Sequence, residues 1–239
     1  MKKYVLALLF IPLFYFPCYI SNDLLLDLTK EDGAYEYAGA LLFLLTAIAF
    51  FILATWPKYY VAFKNTNKYP ERKYFWLLAL LFFFAFGEEI SWGQRIFNFE
   101  TPEAIKHNNI QEEFNLHNLE VFHGKTTEGD DKTGIMALFT MHRLFYLAFL
   151  TYLLFLPILY SMSAKFKSFI DKIKLPVPNI LIGVLFALNL VYGNLMRALY
   201  SDLDGHGTVE IKEFVIAFIL FMLPLSWMSY KKSKEKLHN

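Results

Sequence analysis

Cysteine is nearly absent: Cys18 stands alone among 239 residues. A single thiol excludes an internal disulfide and any zinc site built from several cysteines. The chain also lacks a linker, a low-complexity tract and an internal repeat, so one domain over 1–239 is the simplest organisation. An excess of one charge is missing too. With 23 Lys and Arg against 22 Asp and Glu, the net charge is +1, which gives nucleic acid nothing to read. The opening run MKKYVLALLFIPLFYFPCYIS has no small-x-small cleavage site, and Phe-Tyr-Phe-Pro before Cys18 does not suit lipoprotein processing. It is expected to be a retained first span.

Apolar residues are abundant: 56% of the chain is hydrophobic, 19% aromatic, with 26 Phe. Six stretches are long enough, or nearly so, to cross a hydrocarbon core of about 30 Å at about 1.5 Å per residue. They are approximately 4–20, 37–56, 74–92, 133–162, 177–200 and 209–230. The expected fold is all-α: a polytopic membrane protein of six transmembrane helices, with a helical insertion at 96–133 between the third and fourth.

Charge alternates between the connections. Residues 58–73 hold five Lys and Arg, 165–174 hold four, and the tail after Tyr230 holds four more. The intervening connections are acidic: five acids in 22–36, eight in 92–134 and four in 201–213. The positive-inside rule then places both termini in the cytoplasm of a bacterial inner membrane, with the acidic loops outside.

Glu88 and Glu89 sit within the third span, where an ionisable group costs about 2.5–3.5 kcal/mol on insertion scales and needs a partner. Counting rise from the inner ends puts Glu88 and Glu89 at roughly 21–23 Å, and His142 and Arg143 at roughly 25–27 Å. Asn189, Asn194 and Arg197 reach roughly 18–30 Å, Glu210 and Glu213 roughly 25–30 Å. Glu36 falls at the outer mouth of the second span. These groups share one level near the outer face. Two readings stay open: the arginines neutralise the acids and fix packing, or the groups line a pocket.

In the insertion, Thr101-Pro102-Glu103 suits a helix start, and a second short helix is expected from about Asn109 to Phe122. On it Glu113, His117 and Glu120 would share a face, and Glu120 with His123 forms a Glu-x-x-His pair of the kind found in carboxylate-bridged metal bundles. Glu113, His117, Glu120, His123 and His142 are thus candidate ligands for zinc, manganese or iron. The alternative is a solvated amphipathic helix.

Residues 202–213 match the EF-hand calcium loop by position: Asp202 and Asp204, His206, Gly207, the Thr208 carbonyl, Glu210 and a closing Glu213. His206 departs from the pattern, since imidazole suits calcium poorly.

The strings EDGAYE (31–36), GEEISWGQR (87–95) and NIQEEFNLHN (109–118) resemble a family of bacterial multi-pass membrane proteins, a resemblance that spans most of the chain and brings no chemistry with it. The intramembrane CAAX-type proteases carry Glu-Glu-x-x-x-Arg; here Arg95 comes two positions too late, and their later Phe-x-x-x-His and His-x-x-x-Asn are missing. The alkaline ceramidase and adiponectin-receptor superfamily is similar only in general plan, with metal, histidines and carboxylates near one face of a bundle.

The leading functional expectation is a metal-dependent hydrolase or transferase acting on a membrane lipid. A metal held by His117, Glu113 or Glu88 would lower the pKa of bound water, Glu89 would act as general base, and Arg95 or Arg143 would hold a phosphate or stabilise an oxyanion. A transporter or channel subunit and a non-catalytic assembly module are the alternatives.

Overall fold

The computed structural model describes residues 10–30, 32–56, 59–60, 70–200 and 206–228, without the side chains of Met136 and His206. Among these residues the protein is all helix and loop. Helical residues 10–14 lead into α1 (Phe16–Ile20), and α2 (Asn22–Thr29) follows, its Ser21 hydroxyl accepting from the Leu24 N–H. The long elements are α3 (Ala34–Thr55), α4 (Arg72–Glu89), α5 (Met141–Met162), α7 (Ile180–Leu199) and α8 (His206–Trp227). A shorter helix, α6 (Ala164–Ile173), joins α5 to α7.

Helix α8 is the axis of the bundle. Ile211, Val215, Ala217, Ile219, Leu220, Leu223 and Trp227 are fully buried on it. Helix α3 packs most closely on α4 and α8, and its aromatic side chains make that seam. Phe50 stacks on Phe82 at 5.6 Å between centroids, 9° from parallel, and Trp227 lies against both Phe50 and Phe75. Offset ring pairs of this kind contribute about 0.5–1.5 kcal/mol beyond burial.

Helix α5 carries a π-helical turn at Thr151–Phe155, where it meets Gly183 of α7 so closely that a Cβ there would lie 2.2 Å from the Leu153 carbonyl oxygen. Helices α5, α6 and α7 are capped by Thr140, Ser163 and Asn179, whose side chains accept from Arg143, Phe166 and Leu181 main-chain N–H groups.

Among the described residues three helices are long and apolar enough to cross a membrane: Ala34–Thr55, Met141–Met162 and Ile180–Leu199. A fourth qualifies if α4 and Ser91–Phe97, bent by 68°, count as one. Large apolar side chains such as Leu41, Ile48, Leu77, Leu80 and Val191 face outward from these helices, which fits a membrane protein. Within the fourth expected stretch a 3₁₀ turn at Met136–Leu138 precedes α-helix from Met141, and within the sixth, helix begins at His206. Helix α8 carries Glu210, Lys212 and Glu213 within its first two turns, so it is not among the helices that qualify by composition. Part of the expected first stretch, and the tail after Met228, lie outside the described residues.

Candidate functional site

Helix α4 ends in a sharp bend of 68°. Ser91, Trp92 and Gly93 all take positive φ, at 45°, 52° and 81°, and a left-handed non-glycine residue costs roughly 1–2 kcal/mol. The turn folds the Trp92 indole back over Gly87, where an added Cβ would meet the ring at 2.9 Å. The indole N–H then donates to Glu88 Oε1 at 2.7 Å. Glu88 Oε2 accepts the Leu116 N–H at 2.7 Å and the His117 N–H at 2.9 Å, with His117 Nδ1 at 3.4 Å. At 7% exposure this carboxylate is fully engaged.

Glu113 is engaged as well. Its Oε2 accepts from the Ser91 hydroxyl and from Asn115 Nδ2, both at 2.7 Å, and its Oε1 pairs with Arg95. The other side of the Arg95 guanidinium pairs with Asp32, whose own N–H donates to Glu36 Oε2 at 2.7 Å. Gln94 Oε1 accepts the Phe114 N–H at 2.7 Å. Residues 32–36, 87–95 and 109–118 therefore form one hydrogen-bonded unit.

That unit does not contain the expected helix from Asn109 to Phe122. Residues 109–119 form turns closed by an isolated bridge between Asn109 and Leu119, and only Glu120–Phe122 makes a single 3₁₀ turn. Asparagine side chains supply the reason. Asn109 Oδ1 accepts the Gln111 and Glu113 N–H groups, and its amide donates to Asn115. Such local bonds compete with a helix ladder. Glu113, His117 and Glu120 consequently share no helical face. Thr101, expected as a cap, donates to the Glu112 carbonyl instead, and helix begins at Glu103.

Beneath this unit lies a cavity of about 490 Å³ between α3, α4, α5 and α8. Its polar end is lined by Glu36, Glu88, Glu89, Glu113, Glu210 and Glu213 together with His117, His123 and His142. Phe43, Phe82, Phe145 and Phe149 form its apolar wall. No lysine or arginine is among the described lining residues. His142 Nε2 lies 3.2 Å from Glu213 Oε1, an ion pair when the imidazole is protonated. The Tyr146 hydroxyl is buried without a partner. Glu89 is half-buried and accepts no hydrogen bond from any described residue. Burial, with His142 and His117 nearby, holds the His123 imidazole below its ordinary pKa.

Of the residues expected from sequence, Glu88, Glu89, Glu113, His117, His123, His142, Glu210 and Glu213 come together on this cavity. Glu120 accepts from the Thr127 hydroxyl away from it. Arg95 is committed to Asp32 and Glu113, and Arg143 donates to the Ala137 carbonyl. Neither lines the cavity, so the expected role for them in holding anionic charge there is not borne by their positions. Tyr146 was missed, although it stands one turn after His142 on the same face of α5. Ser91 and Asn115, which bridge to Glu113, carry no sequence signal of their own.

Among the described residues, no three His, Cys, Asp or Glu side chains converge as metal ligands do. The calcium-loop expectation meets a different obstacle. Residues 206–213 are continuous helix, whereas the loop needs a sharp turn at its sixth position and an outward carbonyl at its seventh. Gly207 and Thr208 are instead packed in the first turn of α8, and Glu213 faces the cavity. Asp202 and Asp204 lie outside the described residues. Comparison with protein-family models, curated proteins and solved structures finds no match to this chain.

Proposed function

We propose that this chain is a six-span protein of the bacterial cytoplasmic membrane, with both termini cytoplasmic, whose cavity faces outward and acts on a small amphiphilic molecule. The observation that carries the reading is the cavity itself. Carboxylates and imidazoles from four helices and one connection meet an aromatic wall in a space of about 490 Å³, within the range of about 300–1,000 Å³ usual for small-molecule sites. The alternating basic and acidic connections support the orientation.

The chemistry favoured is hydrolysis or group transfer on a lipid-like substrate. Glu88 and Glu113 are occupied in holding the fold. Glu89 is the carboxylate free to take a proton, and the His142–Glu213 pair stands ready to return one. A second reading, in which a zinc, manganese or iron ion activates water here, requires side chains to draw together, since no three described His, Cys, Asp or Glu residues converge. Elemental analysis separates the two: about one equivalent of metal per chain supports the second reading, and less than a tenth rules against it.

The small-molecule reading is tested with a photoreactive alkyl diazirine added to protein in nanodiscs. Adducts on Phe82, Met141 or Phe145, competed by unlabelled alkyl chain and diminished by Phe145→Trp, are expected. Adducts confined to outward-facing residues such as Leu77 and Leu80 would reject it.

A further inference from the structure

We propose that the ligand of this cavity is an organic cation, an alkyl chain ending in a positively charged nitrogen. The proposal rests on the small-molecule reading above and adds the ligand's charge and shape to it.

The polar end of the cavity is short of donors. Six carboxylates line it against no described lining lysine or arginine, and Arg95 neutralises one of the six, Glu113. Arg95 is held between Asp32 and Glu113. Lys212, 8% exposed, places its ammonium 5.3 Å from the centre of the Tyr146 ring and does not line the cavity. Glu213 is paired with His142, which leaves the Glu89 carboxylate on the wall as one that accepts no hydrogen bond from any described residue. When ionised it can only accept. A group bearing N–H donors and positive charge satisfies it, whereas a phosphate or carboxylate would add a charge of the sign already in excess.

The other end sets the size and class. The cavity has room for an organic molecule, far more than a bare ion fills. Its phenylalanine faces accept both an alkyl chain and the cationic carbon–nitrogen head. A transition metal would need at least three converging ligands, and none of the described side chains group in that way.

The test uses the full chain in nanodiscs with tritiated octylamine, read by scintillation proximity after subtraction of empty nanodiscs. Saturable binding is expected, displaced by unlabelled octylamine and displaced at least tenfold less well by octanol or octanoate. Glu89→Gln is expected to weaken octylamine binding at least tenfold. Equal displacement by octanol or octanoate overturns the cationic assignment but leaves a small-molecule site standing. Displacement by manganese or zinc at lower concentration than octylamine overturns it in favour of a metal ion. Unchanged affinity in Glu89→Gln overturns the role of that carboxylate, and if the variant does not fold, the three-ligand competition on the natural chain still decides. Absence of any saturable binding removes the small-molecule reading along with it.

Discussion

Glu88 and His117 are joined twice across 29 residues of chain: Glu88 Oε2 accepts the His117 main-chain N–H at 2.9 Å and lies 3.4 Å from its Nδ1. The same oxygen holds Leu116 N–H, and the other holds Trp92. One buried carboxylate thereby ties the end of α4 to the connection that roofs the cavity.

Removing it should loosen that roof. Glu88→Ala leaves the Trp92, Leu116 and His117 donors without their acceptor, which we expect to cost at least about 3 kcal/mol, given about 1–3 kcal/mol per stranded buried group. Glu88→Gln, which keeps an acceptor oxygen, should lose less. Thermal unfolding in nanodiscs, with tryptic cleavage at Lys106, Lys125 and Lys132 as the local readout, checks this. Unchanged cleavage in Glu88→Ala would mean the connection is held by something else.

Much of this arrangement could be read before the structure, and the limits are physical. Counting helical rise placed Glu88, Glu89, His142, Glu210 and Glu213 at one level, because 1.5 Å per residue holds in any α-helix. The connection was harder. NIQEEFNLHN has helical spacing of acids and histidines, yet Asn109 and Asn115 spend their side chains on nearby main-chain groups and fold it into turns. Arg95 was expected to face a ligand. The consecutive positive φ angles at Ser91, Trp92 and Gly93 swing it toward Asp32, and no periodicity reports such a bend. The calcium pattern at 202–213 meets the same limit: a match of residue types says nothing about where helix α8 begins, and it begins at His206.

Helix contacts give a sharper contrast between two glycines. A Cβ on Gly183 would sit 2.2 Å from the Leu153 oxygen, backbone against backbone, while one on Gly39 would come no closer than 3.9 Å to Phe214 Cα. Gly183→Ala should therefore force α5 and α7 apart, at about 1–3 kcal/mol. Gly39→Ala should be neutral or slightly stabilising, since Ala is the better helix former by about 1 kcal/mol. Melting temperatures of the two variants test this directly. If both fall equally, close packing is not the cause.

Protonation should act on the connection through His123. Its Nδ1 accepts the Lys125 N–H at 3.1 Å, a role only the neutral ring can fill. Burial and neighbouring positive charge lower its pKa below the ordinary value of about 6.5. Between the folded and unfolded values the unfolded chain binds more protons, so stability rises with pH. The contribution is complete above about pH 6.5 and is lost as pH falls through the folded value. Amide exchange over residues 123–126 should quicken from pH 7.5 to 5.5 beyond its intrinsic pH dependence, and His123→Gln should remove that excess. An equal excess in both proteins would assign it to another group.

Orientation is the premise on which an outward-facing cavity depends, and α5 lets it be measured. At about 1.5 Å per residue, the 22 residues of Met141–Met162 reach about 33 Å, enough for one crossing of a core about 30 Å thick. Asp130 precedes this helix and Lys167 follows it, and both are exposed. With Cys18 replaced by Ser, a cysteine at Asp130 should react with an impermeant maleimide on intact spheroplasts. A cysteine at Lys167 should react only after permeabilisation. The converse pattern would turn the cavity toward the cytoplasm, where an amphiphile would have to arrive from the inner leaflet. Labelling of both positions from the same side would mean that α5 does not cross, and the six-span arrangement would fail with it.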